Sequence, residues 1–140
     1  MNIISDFKVI DTLDDYDKKR NPQGLSVLEL LPTGITWVYA GKRQEIYDDN
    51  KLIPLILKDS IGIALIVAPF NKSKNQAYIL NPDNSLKWDV KEILNTRDAI
   101  FSDVYYINNE LYFFVHINGV DFRFLFDIES GSLGELIQSY

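Results

Sequence analysis

Apolar residues recur at every second position through much of this chain. The pattern is clearest in VYYINNELYFFVHINGVDFRFLFDIESGSLGE, from Val104 to Glu135, where Asn-Asn, Asn-Gly and Ser-Gly interrupt it. A period of two sends successive side chains to opposite faces of a strand. It predicts strands over Ile3–Ile10, Leu25–Leu31, Ile35–Ala40, Arg43–Tyr47, Leu52–Leu57 and Ile61–Ala68. Further strands are expected over Gln76–Leu80, Leu86–Val90, Asp103–Ile107, Glu110–Asn118, Asp121–Ile128 and Leu133–Gln138. Each run is short, rich in β-branched or aromatic residues, and bounded by turn formers. The helical patterns that parallel strands need between them are missing. The fold class expected is mainly β: antiparallel meanders forming a sandwich or partly open barrel, with at most one or two short helices.

One helix is expected at Trp88–Thr96, where Val90, Ile93 and Leu94 share a helical face and Asp89 stands ready to cap. Asp11–Gly24 and Asn71–Asn75 read as polar loops. Leu25–Tyr47, Ile63–Val90 and Leu111–Gln138 each read as strand, turn, strand, turn, strand. Two of these share a detail: Ile79 to Leu86 parallels Leu125 to Leu133 with one residue inserted. Repeated meanders resemble propeller blades, but three are too few for a closed propeller of four or more. Meanders packed around one core are the expectation.

The turns set a register. Asn118-Gly119 suits a two-residue type I′ turn, because both positions tolerate positive φ. It pairs Ile117 with Val120, His116 with Asp121, and so on to Glu110 with Asp127. Asn108-Asn109 makes the same turn one strand earlier and pairs Tyr106 with Leu111, Tyr105 with Tyr112 and Val104 with Phe113. Both registers sort the side chains alike. Val104, Tyr106, Leu111, Phe113, Val115, Ile117, Val120, Phe122, Phe124 and Phe126 form an apolar face that belongs in a core. Tyr105, Ile107, Glu110, Tyr112, Phe114, His116, Asp121, Arg123, Leu125 and Asp127 form a mixed face. Rings interleaved with carboxylates suit a protein-binding patch.

Charge sharpens this picture. Residues 1–97 carry 13 acidic and 13 basic side chains, so the net charge of −6 lies wholly in residues 98–140. There Asp98, Asp103, Glu110, Asp121, Asp127, Glu129 and Glu135 face Arg123 alone. Such a field repels phosphate backbones and attracts basic partners, so nucleic acid is not an expected partner. The 140 residues suit a single domain, 1–140. The chain has no cysteine, which excludes disulfides and thiolate metal sites. MNIISDFKVI lacks the pattern of a signal peptide, and the longest apolar stretch, Ile61 to Phe70, is too short for a bilayer. A cytoplasmic protein without membrane partners is expected.

Catalytic signals are sparse. His116 is the sole histidine, so an imidazole-rich metal site is not expected, and opposite Asp121 it reads as a cross-strand pair. No phosphate-binding glycine motif and no convincing triad occur. Asp14-Asp15 and Asp48-Asp49 are sequence neighbours, which diverge on a strand and make no acid/base dyad. Asp11, Asp14, Asp15 and Asp17 lack the spacing of a calcium loop. Trp37 alternates with Ile35 and Tyr39 and is expected in the core. No enzyme, cofactor or metal is expected.

In size, acidity and absence of catalytic signatures, the chain resembles the small immunity proteins of bacterial toxin systems, such as those of contact-dependent growth inhibition. The resemblance implies a cytoplasmic inhibitor that occludes a basic toxin domain, typically a nuclease. The mixed face supplies the candidate partner-binding residues Tyr105, Glu110, Tyr112, Asp121 and Asp127, with Glu129 beside them. Asp14, Asp15, Asp17, Asp48 and Asp49 offer a second acidic contact. The alternative is a small up-and-down β-barrel enclosing an apolar small molecule, with part of the mixed face lining its cavity.

Overall fold

A computed structural model describes residues 3–11 and 16–139. Its strands are β1 (Ser5–Ile10), β2 (Gly34–Tyr39), β3 (Lys42–Tyr47), β4 (Leu52–Ile56), β5 (Ile63–Val67), β6 (Gln76–Leu80) and β7 (Leu86–Asp89). They continue with β8 (Ile100–Ile107), β9 (Glu110–Ile117), β10 (Val120–Leu125) and β11 (Ile137–Gln138). The strands form three antiparallel meander sheets, β1-β2-β3, β4-β5-β6-β7 and β8-β9-β10-β11, in which every neighbour is consecutive in sequence. The architecture is mainly β and layered like a sandwich. Among the described residues no sheet closes, so the barrel alternative falls.

Two core clusters replace the single core expected from the repeats. The reason lies in the middle sheet, whose β5 reads Ile63-Ala64-Leu65-Ile66-Val67 with no polar position. Such a strand buries both faces. Ile63, Leu65, Leu52 and Leu80 pack with Ile35 and Trp37 of the first sheet. Ala64, Ile66, Ala77 and Ile79 pack with Phe101, Phe113, Val115 and Phe124 of the third. The phenylalanines meet edge-on and stacked, with Phe101 5.7 Å from Phe113 and Phe113 5.9 Å from Phe124 between centroids. Such contacts add to the energy of burial. Trp37 lies fully buried in the core, and its Nε1–H donates to the Pro82 carbonyl at 2.7 Å. Trp88 latches the second sheet to the third, donating to the Ile128 carbonyl at 2.6 Å. Gly131, at φ +72, lies under that ring, where a Cβ would come within 2.8 Å of it.

The predicted turns and registers appear. Asn108 and Asn109 take φ 51 and 65, and Asn118 and Gly119 take φ 49 and 82. The ladder runs from Val120 opposite Ile117 to Leu125 opposite Tyr112. The register carries on to the expected Leu111–Phe126 pair, where the Phe126 N–H donates to the Leu111 carbonyl at 2.9 Å while Phe126 also bridges Leu133; the expected Glu110–Asp127 pair lies beyond the ladder. The parallel between the two hairpins is real: Leu80 pairs with Leu86 as Phe126 does with Leu133. Asn81 N–H donates to Ser85 O just as Asp127 N–H does to Ser132 O.

Two predicted strands are corrected. Leu25–Leu31 contains a short helix, α1 (Val27–Leu30), because Ser26 and Glu29 form a capping box. Leu133–Gln138 shrinks to β11, since Gly134 bonds back to Leu125 and the chain rejoins β10 only at Ile137. The other helix, α2 (Val90–Leu94), is capped by Asp89 as expected, but Trp88 and Asp89 before it belong to β7. Among the described residues no helix is long and apolar enough to cross a membrane.

Candidate functional site

The outward face of the β8–β11 sheet is assembled row by row from the ladder. His116 of β9 sits between Ile100 of β8 and Asp121 of β10. The next row holds Asp103, Phe114, Arg123 and Ile137, and the one after it Tyr105, Tyr112 and Leu125. Ile107 and Glu110 end the face. The opposite face packs inward: Val104, Leu111, Phe113, Val115, Phe124 and Phe126 are buried, while Tyr106, Ile117, Val120 and Phe122 toward its ends are half-buried.

The rings stay in reach of solvent. Tyr105 is 43% exposed, and Tyr112 and Phe114 are half-buried. Tyr105 and Phe114 lie diagonally across the ladder and stack, with centroids 4.4 Å apart and planes at 20°. The Arg123 guanidinium sits over the Tyr112 ring at 5.9 Å, a cation–π geometry. His116 Nδ1 and Asp121 Oδ1 are 2.8 Å apart in the predicted cross-strand pair. Each ring is thus held by a neighbour, Tyr105 and Phe114 by their stacking and Tyr112 by Arg123.

The predicted residues fall into separate groups. Tyr105 and Asp121 flank a depression at one end of the face, lined also by Asp103, Phe114 and Ser139. Glu110, Asp127 and Glu129 line a groove between the second and third sheets, together with Lys58 and Lys87. Tyr112 lies between the two, cross-strand from Tyr105. Asp127 also shapes its own loop, because its Oδ1 accepts from the Glu129 and Ser130 amides at 2.9 and 3.2 Å. The Ser130 amide, then that of Glu129, hold its carboxyl below the ordinary Asp range.

The remaining acids lie elsewhere. Asp48 organises the β3–β4 turn by accepting from the Asn50 amide, and exposed Asp49 lines a hollow with Leu28, Lys51 and Phe70. Asp17 accepts from the Arg20 amide and pairs with its side chain at 3.5 Å. Asp14 and Asp15 lie outside the described residues. Asp103 joins the face though it was not among the candidates, and its alternation with Tyr105 was the available signal. Ile137 joins through β11 pairing, which only the fold reveals. Among the described residues no three His, Cys, Asp or Glu side chains group to hold a metal.

No family model matches the chain, and neither does any curated protein. A chain of the solved structure of Tne2 in complex with Tni2 superposes with a TM-score of 0.75. The match spans 99% of this chain and 100% of that one at 13% sequence identity, a likeness of fold.

Proposed function

We propose that this chain is an immunity protein that binds and neutralises a basic toxin domain through the outward face of β8–β11. The observation that carries the proposal is the accessibility of Tyr105, Tyr112 and Phe114 among carboxylates on a sheet whose other face packs on the core. Monomer surfaces rarely expose such a patch without a use. Acidic groups steer a cationic partner into encounter, and the preset rings set its residence time. The fold neighbour, solved within a two-protein complex, supports a scaffold suited to holding a protein partner. In this reading residues 1–140 act as one unit in the bacterial cytoplasm, by occlusion and without catalysis. The toxin is a nuclease, delivered by contact-dependent growth inhibition. The Asp14–Asp17 loop and Asp48-Asp49 make a peripheral acidic contact.

The test is co-expression with the products of the genes flanking this one, screened for a toxin. The chain is expected to restore growth and co-purify with the toxin, and Asp121→Lys with Tyr105→Ala to abolish both. Full rescue by that double variant would refute the docking face.

A further inference from the structure

Within that docking face, and resting on its assignment, one depression is shaped for a particular side chain. Its volume is about 260 Å³, below the roughly 300–1,000 Å³ of small-molecule sites yet ample for one long residue. Its floor is the stacked Tyr105–Phe114 pair. Asp103 on β8 and Asp121 on β10 stand on either side of β9, both exposed. A bulge at Ser102 sets this arrangement: Phe101 turns into the core while Asp103 stays outward, and Ser102 Oγ donates to the Phe114 carbonyl at 3.3 Å. Each carboxylate is steadied through one oxygen. Asp103 Oδ1 accepts from the Val104 amide at 2.8 Å, and Asp121 Oδ1 meets His116. Neither Oδ2 receives a hydrogen bond from the described residues. Arg123, the face's own cation, is occupied over Tyr112 and does not line the depression.

We propose that this depression receives a single arginine side chain of the partner. A guanidinium is planar and can lie along the aromatic floor while its N–H groups reach outward to both carboxylates. A lysine ammonium is more strongly hydrated and presents no plane to the rings. The neighbouring Arg123 guanidinium already sits over a tyrosine ring of this sheet, 5.9 Å from the Tyr112 centroid.

N-acetyl-arginine amide is the probe, titrated into the 15N-labelled full chain at low salt and followed by amide chemical shifts. Shifts are expected to concentrate at 102–105, 114 and 121, and to exceed those from N-acetyl-lysine amide. Asp103→Asn with Asp121→Asn keeps both Oδ1 acceptors and is expected to weaken binding about tenfold. Glu45→Gln with Glu92→Gln, the same loss of charge on other elements, is expected to leave it within about twofold. Equal shifts from the lysine probe, or shifts spread over Glu110, Glu129 and Glu135, would overturn the arginine receptor. The toxin itself, added to the same labelled chain, separates the two readings. If it perturbs β8–β10 while the arginine probe does not discriminate, the receptor fails and the docking face stands. Perturbation confined to other sheets removes both.

Discussion

The sheet of β1–β3 and the sheet of β8–β11 each press one face onto the middle sheet and turn the other outward. The outward face of the first carries Lys8, Arg43 and Glu45. Its charges are of both signs, and Arg43 and Glu45 approach to 3.8 Å. The outward face of the third carries Asp103, Glu110 and Asp121 against Arg123, with a stacked ring pair among them. Charge and half-exposed side chains are common to both. What separates them is sign and packing: the first face mixes Lys8 and Arg43 with Glu45 beside an exposed Tyr47, and the third sets its acids around a stacked ring pair.

The largest expected effects lie where the two sheets are alike, on their inner faces. Phe113→Ala and Trp37→Ala remove fully buried rings, and each is expected to cost about 3–5 kcal/mol in guanidinium unfolding. A tolerated change in either sheet would show that it is not part of the cooperative frame. The outer faces should then diverge. Tyr105→Ala is expected to weaken toxin binding by about 2 kcal/mol, roughly 30-fold. Lys8→Glu or Arg43→Glu is expected to change it by about twofold at most, and comparable losses from both sheets would erase the contrast. Salt offers a smaller handle. Raising it from roughly 0.05 to 0.5 M is expected to slow association about tenfold, with little effect on dissociation in stopped-flow traces.

The smallest effect is in acid. The Ser130 and Glu129 amides depress the native pKa of Asp127. On acidification the unfolded chain therefore takes up this proton first. The associated stability is present above the ordinary Asp value and drains away as pH falls through the native one. Asp127→Asn retains an acceptor for both amides without the titration. Its stability against pH should be flatter in that acidic window, as read by urea midpoints, while the first sheet's charge variants keep the wild-type slope there.

Much of this was legible along the chain because it is local. A period of two and a pair of left-handed asparagine turns are read within a few residues. They placed Tyr105, Tyr112, Phe114 and Asp121 on one face and Phe113 and Phe124 on the other. The capping box at Ser26 and Glu29 is equally local, yet Leu25–Leu31 was read as a strand where α1 stands. The bulge at Ser102 left no comparable mark, because a single extra residue changes no composition and only the partner strand exposes it.

The sequence by itself determined most of the strands and their turns, the hairpin registers and the concentration of negative charge in the last third of the chain. Those follow from neighbours within one or two strands. Only the tertiary structure decided that the meanders stack with two cores, that both faces of β5 are buried, and that Asp103 and Asp121 stand across Phe114. Such facts depend on which sheet packs on which, and on latches such as Trp88 to Ile128 that join residues 40 apart. An alternating pattern tells which residues share a face, and the packed molecule tells what that face meets.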